Sequence, residues 1–274
     1  MELPAARAEF EGRARALAET CRDLILHLTA GQGGRLERET MIPIQDDPGR
    51  VRRSVPWVTL LLIAANAVVF AYELSLGPSL QAFIQAYGAI PRQITTGQPL
   101  VSAAPSPVYI TLITSMFIHA GFLHIGGNML FLWIFGDNVE DSLGHPVYLG
   151  FYLFCGIVAG LVQVAVSPLS TIPAIGASGA IAGVLASYLL LFPRAVVRTL
   201  LLIGPFITFS RLSALLMIGV WILFQVVSGV VELAGSGSGD GVAFWAHVGG
   251  FAVGLSATAL WRLASHYQTG EPSS

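Results

Sequence analysis

The chain has 274 residues, of which 54% are hydrophobic and 11% charged, and its mean hydropathy is +0.70. So apolar a composition excludes an ordinary soluble domain and points to a polypeptide that lives in a bilayer. The net charge of −2 carries no sign of a nucleic-acid partner.

In chain order, residues 1–40 read as an N-terminal cytoplasmic extension. Leu3, Phe10, Leu17, Cys21, Leu24 and Leu28 recur at near-helical spacing before the breaker Gly31-Gln32-Gly33-Gly34. This stretch is either an amphipathic helix or a segment upstream of a native start at Met41. Its charged residues leave no apolar core for a cleavable signal peptide, so the first span is expected to act as the insertion signal.

Residues 41–266 read as a membrane domain, and residues 267–274 as a short polar tail. Apolar runs able to cross a hydrocarbon core, which takes about 20 helical residues, recur near 57–76, 123–139, 147–167, 172–193, 212–233 and 243–264. The expected fold is therefore an all-α, six-span bundle. Residues 77–122 form a long connection with one arginine and no acid, expected to fold into short helices resting in the outer leaflet. Gly235 to Gly241 is a Gly/Ser stretch expected to be a flexible outward loop. Every one of the 14 cationic side chains is arginine. Arg50, Arg52 and Arg53, then Arg194, Arg198 and Arg211, then Arg262 fall on one side, against Arg92 on the other, which places both termini in the cytoplasm.

Polar groups inside spans are costly and mark function by default. The second run opens with His124-Ile125-Gly126-Gly127-Asn128, the fourth carries Ser178 near its start, and the sixth carries His247. With these directions each lies within about two helical turns of the outer face. A hydroxyl, a base and hydrogen-bond donors at one depth are what nucleophilic catalysis needs. Ser178 is then the nucleophile, His247 its general base, and the Ser178 backbone N–H with His124 and Asn128 the stabilisers of an oxyanion. No acid accompanies them, so a Ser-His dyad is expected rather than a triad. Gly179 and Gly183 on the fourth run, and Gly250 and Gly254 on the sixth, follow the small-residue spacing that lets two helices approach closely, with Gly176 just ahead of them.

Gly176-Ala177-Ser178-Gly179, Ala246-His247-Val248-Gly249-Gly250 and the His124/Asn128 pair, on a six-span chain, resemble the rhomboid family of intramembrane serine proteases. The resemblance covers about residues 41–264 and includes Met41-Ile42-Pro43-Ile44-Gln45-Asp46-Asp47, which is similar to a common bacterial rhomboid start. It implies that Ser178 is the nucleophile, His247 the base, and His124 and Asn128 oxyanion donors. It also implies a multi-pass protein of the bacterial inner membrane, single-span membrane proteins as substrates, and substrate approach past the fifth span. Phe135 to Gly144 resembles a family segment whose glutamate is structural, so Glu140 is read as a helix-end anchor. The family's aromatic one turn after the serine is here Ala182, so packing for the histidine must come from elsewhere.

Other readings are weaker. Ser187, Ser228, Gln163 and Gln225 are most simply interhelical hydrogen-bond partners. A metal at His119, His124 and His247 would need a carboxylate or the His-Glu-x-x-His pattern, and neither is present, so no metal and no cofactor is expected. The rival functions are a non-catalytic rhomboid-like protein that binds membrane clients, which would be expected to lack the serine or the histidine, and a transporter, which would show internal repeats and midplane polar groups.

Overall fold

The computed structural model describes residues 40–49, 54–203, 206–233 and 242–269. The expected helix over residues 3–28, the arginines at 50, 52 and 53, the loop from 235 to 241 and the tail beyond 269 lie outside the described residues.

A helix overlaps each of the six apolar runs: α1 Trp57–Ser75, α5 Phe122–Leu143, α6 His145–Val166, α7 Ser178–Leu191, α8 Ala214–Leu233 and α9 Phe244–Thr269. Between α1 and α5 lie three short helices, α2 Leu80–Tyr87, α3 Pro91–Thr96 and α4 Thr111–Thr114. Among the described residues, α1, α6 and α8 are each long and apolar enough to cross a bilayer, and a fourth span arises if residues 108–117 are joined to α5 across their 83° bend. The outward faces carry large apolar side chains, such as Leu61 and Val68 on α1 and Leu223 and Phe224 on α8, each more than 60% exposed. A helix apolar on its outer face as well as its inner one is solvated by lipid.

The fourth expected span is shorter than its apolar run. Residues 172–177 are not helical, and α7 begins only at Ser178 and runs for 14 residues, about 21 Å at 1.5 Å per residue. The preceding chain is held by backbone pairing instead: Ala89 and Ala174 exchange two N–H···O bonds at 3.1 and 2.9 Å, and Arg92 donates to the Ser170 carbonyl. α7 is the enclosed helix. Its residues from Gly179 to Tyr188 are buried, with α5, α6 and α9 packed around it. α8 is peripheral and leans mainly on α9, where Trp245 Nε1 donates to the Gly229 carbonyl at 3.2 Å.

An all-α fold is contradicted at the arginine-bearing end. Strands β1 Thr40–Asp47, β2 Val196–Ile203 and β3 Phe206–Ser213 form an antiparallel sheet in the order β1-β2-β3. The register of β2 with β3 pairs Val196 with Ser213 and Ile203 with Phe206. The signal was in the sequence: Val196-Val197-Arg198-Thr199-Leu200 and Phe206-Ile207-Thr208-Phe209 flank Gly204-Pro205, and β-branched and aromatic residues around such a pair mark a hairpin. Val197 and Thr199 bury one face of β2 beside Met217 of α8. β1 is tied to the bundle by Asp46, whose Oδ2 accepts from the Tyr188 hydroxyl at 2.6 Å and from Asn138 Nδ2 at 2.9 Å.

Candidate active site

Two backbone devices bring Ser178 and His247 together. α7 and α9 touch at their glycines: a Cβ on Gly250 would collide with the Gly179 carbonyl oxygen, and one on Gly254 with the Gly183 Cα. Gly183 in turn leaves room for Cys155 of α6, whose Sγ would lie 2.6 Å from an added Cβ. The second device is the turn into α7. Gly176 has φ +117°, a backbone state that side chains rarely adopt, and its N–H donates to the Ser115 carbonyl at 2.8 Å. A Cβ there would also lie 2.7 Å from His124 Nε2 and 3.7 Å from Ser178 Oγ, so the same glycine lets His124 reach the serine.

Ser178 Oγ lies 2.6 Å from His247 Nε2. On the far side of the ring, His247 Nδ1 lies 2.7 Å from Gln225 Oε1 of α8. An amide oxygen only accepts, so Nδ1 carries the imidazole proton and Nε2 is left to accept from the serine hydroxyl. The packing that Ala182 cannot give comes from α8 as well: the Trp221 ring lies over His247 at 5.7 Å between centroids and 39° between planes. Gln163 of α6 accepts the Ala246 N–H at 3.2 Å, beside the histidine. Both glutamines thus bond across helices. A neutral amide in an apolar helix carries no sign of which neighbour it meets, so Gln225 could be read from sequence only as a cross-link.

The donors differ in their readiness. His124 Nδ1 accepts the Ala120 N–H at 3.3 Å, so its proton sits on Nε2, the nitrogen that faces Gly176. Ser178 is the first residue of α7, where backbone N–H groups lack partners in the helix, and no side chain caps that end. Asn128 is buried, and its Nδ2 donates to the His124 carbonyl at 2.9 Å. That leaves its second amide hydrogen for the cavity it lines. His119 is buried behind this group with its ring edge-on to His124, and its backbone N–H is accepted by the buried Glu73 of α1 at 3.2 Å. Among the described residues, no three His, Cys, Asp or Glu side chains converge to hold a metal ion.

Ser178, His247, His124 and Asn128 all line one cavity of about 640 Å³. Its walls are otherwise largely apolar, with Phe131 of α5, Trp221 of α8 and Val242 and Ala243 just before α9 among them.

A model of the Rhomboid domain matches residues 107–263, more than half of the chain, including Ser178, His247, His124 and Asn128. The chain belongs to the rhomboid family. Rhomboids are in general intramembrane serine proteases. This rhomboid is 32% identical over 149 residues to "Rhomboid protein 1, mitochondrial" of Saccharomyces cerevisiae, covering 53% of this chain and 38% of that protein. It is 32% identical over 157 residues to "Presenilin-associated rhomboid-like protein, mitochondrial" of Homo sapiens, covering 56% of this chain and 37% of that one. It is 39% identical over 80 residues to "Rhomboid-like protein 11, chloroplastic" of Arabidopsis thaliana, covering 29% of this chain and 28% of the relative. The matched regions span less than two fifths of these relatives' own lengths.

Proposed function

We propose that this rhomboid is an intramembrane serine endopeptidase that cleaves single-span membrane proteins near the outer face by a Ser178–His247 dyad. The observation that carries the reading is the 2.6 Å approach of Ser178 Oγ to His247 Nε2, within a cavity that also holds His124. Nε2 takes the hydroxyl proton as Oγ attacks a peptide carbonyl. The developing oxyanion is met by the Ser178 backbone N–H, by His124 Nε2–H and by the free amide hydrogen of Asn128. One such donor is worth about 2.7–4 kcal/mol in other acyl-transfer enzymes. The imidazolium then protonates the leaving amine, and a water activated by the same Nε2 hydrolyses the acyl-enzyme.

In this reading all six helices α1 and α5–α9 cross the bilayer, with Arg194, Arg198, Arg211 and Arg262 on the inner side. Ser178 and His247, at the opposite ends of α7 and α9, then lie towards the outer face. The short α7 supports this, because a helix that begins only at Ser178 sets the serine inward of a full span's end, and the cavity it lines gives water a route to it. The relatives carry mitochondrial and chloroplastic names, so a bacterial inner membrane rests on the sequence resemblance alone. A substrate helix has its backbone groups paired, so the scissile bond must lie where that helix unwinds readily, near Gly, Pro or small polar residues.

The test reconstitutes the purified chain with a single-span substrate and compares it with Ser178→Ala and His247→Ala. Cleavage and fluorophosphonate labelling present in the wild type and absent from Ser178→Ala are expected. Undiminished cleavage by both variants would remove the dyad.

A further inference from the structure

Among the described residues, the hydrogen bond to Nδ1 and the aromatic contact on the His247 ring both come from α8. Trp221 and Gln225 are four residues apart, so they share a face one turn from each other. One lies over the ring and the other meets Nδ1. Gln225 is 5% exposed, in a helix whose outer face is apolar. We infer that Gln225 is a positioning residue for the base: its amide oxygen holds the Nδ1–H and so keeps Nε2 unprotonated and aimed at Ser178. This rests on the protease reading given above.

The chemistry depends on which way the amide faces. A neutral imidazole carries one N–H. With Oε1 towards Nδ1 the proton is held there, and Nε2 can take the serine proton. With the amide turned over, its NH₂ would donate to Nδ1, the imidazole proton would move to Nε2, and the ring would point a donor at Ser178 Oγ. That ring could not act as a base. Gln225 therefore does for tautomer and orientation what an acid does in a triad, without placing a carboxylate at membrane depth, where a charge is costly. The other side chains around His247 are His124 of α5, which titrates, and Gln163 of α6, Ser178 of α7 and Trp221 of α8, which do not titrate near neutrality.

Because Trp221 also lines the cavity, the wall that a substrate would touch and the clamp on the base are the same helix. The positioning role thus predicts a loss in kcat rather than in KM.

The experiment measures fluorophosphonate labelling of Ser178 against pH in lipid nanodiscs, with kcat and KM for a single-span substrate, in wild type, Gln225→Leu and Gln225→Glu. Gln225→Leu is expected to lower the labelling rate and kcat by about 10²-fold, the lower end of what a positioned base contributes, with KM within about twofold. Gln225→Glu can only accept at Nδ1, so it is expected to label at least tenfold faster than the leucine variant at alkaline pH. Its acid limb should move to higher pH, because a carboxylate stabilises the imidazolium. Wild-type labelling by Gln225→Leu would overturn the inference, as would a glutamate profile that superimposes on the leucine one. Should Gln225→Leu fail to fold, the acid limb of Gln225→Glu decides alone: a rise supports the role and an unmoved limb overturns it. A wild type that is itself unlabelled would remove the protease reading, whereas a labelled wild type with an equally labelled leucine variant removes only Gln225.

Discussion

Oε2 of Glu140, on α5, accepts both the backbone N–H of Thr59 at 2.8 Å and its hydroxyl at 2.7 Å, 81 residues away in the chain. Oε1 accepts the Val58 N–H at 2.9 Å and lies 2.5 Å from His145 Nδ1. One buried carboxylate thereby caps α1, which has no side-chain cap of its own, and ties it to the α5–α6 turn. Glu140→Ala leaves the Val58 and Thr59 N–H groups without their side-chain acceptor and the Thr59 hydroxyl with only the Tyr148 oxygen at 3.5 Å. Removing one partner of a buried charged network costs about 3–5 kcal/mol. Thermal unfolding in detergent should show a clearly lowered midpoint for Glu140→Ala, whereas Ser54→Ala, which loses a partly buried bond from Ser54 to Asp141, should change little. Equal midpoints for the two variants would contradict the capping role.

The helix approach that joins Ser178 to His247 makes a second expectation specific to position. Gly250→Ala puts a methyl into the Gly179 carbonyl oxygen, and backbone cannot swing aside as a flexible side chain can. α7 and α9 must then part, and a misplacement of about 1 Å at reacting atoms can cost about 10²-fold in rate. Gly150→Ala and Gly219→Ala face open space and should be silent. Labelling kinetics on the three variants distinguish them; retention of the wild-type rate by Gly250→Ala would show that the close approach does not set the geometry of the pair.

Much of this site could be read from the sequence, and the reason is physical. In an apolar chain the few polar groups stand out, and alternating helix direction converts position in a run into depth, so the sequence alone puts Ser178, His247, His124 and Asn128 in one layer. Four-residue glycine spacing likewise named the pair of helices that touch. What stayed hidden were partnerships. Gln225 has no charge to betray its role, and the target of Glu140 lies on another helix 81 residues upstream. The sheet is masked by its setting: Val196 to Leu202 adjoins a span, and a short apolar run does not distinguish strand from helix by periodicity, so only the flanking Gly204-Pro205 speaks for a hairpin. α7 is shorter than its run for a related reason: residues 172–177 are apolar enough for a span, but pairing of Ala174 with Ala89 and of Gly176 with Ser115 holds them out of the helix.

The sheet carries a pH dependence whose sign follows from Asp46. Burial between the strand and the bundle, against the opposing effect of the Tyr188 hydroxyl and with Asp137 adding to it, pushes the Asp46 carboxyl up to about 6. In an unfolded chain it titrates near 3.9. The folded state therefore binds more protons between about pH 4 and pH 6, so the contribution of Asp46 to stability is fully present below about 4 and is lost as pH rises through about 6. Asp46→Asn keeps an acceptor for Tyr188 and Asn138 without a charge to desolvate. It should be more stable than the wild type at pH 7.5, with the difference narrowing towards pH 4. Denaturation midpoints across that range test it, and a constant offset between the two proteins would refute the assignment.

Substrate approach between α5 and α8 gives the last expectation. The cavity is lined by Phe131 on one of these helices and Trp221 on the other, and α8 leans mainly on α9, so the proposed route for a helix from the bilayer runs between α5 and α8. Cysteines in place of Phe131 and of Phe224, three residues beyond Trp221, allow a short bis-maleimide to bridge that gap. Cys155 is fully buried and should not compete, and Cys21 is replaced by serine beforehand. Bridging is expected to abolish cleavage of a single-span substrate while fluorophosphonate labelling stays within about threefold, because a small phosphonate enters from the aqueous mouth and a membrane helix cannot. The two assays are run on the same double-cysteine protein, bridged and unbridged, so any effect of the substitutions themselves cancels. Cleavage that survives complete bridging would place the route elsewhere, and labelling lost together with cleavage would mean that the bridge had deformed the Ser178–His247 pair rather than closed a gate.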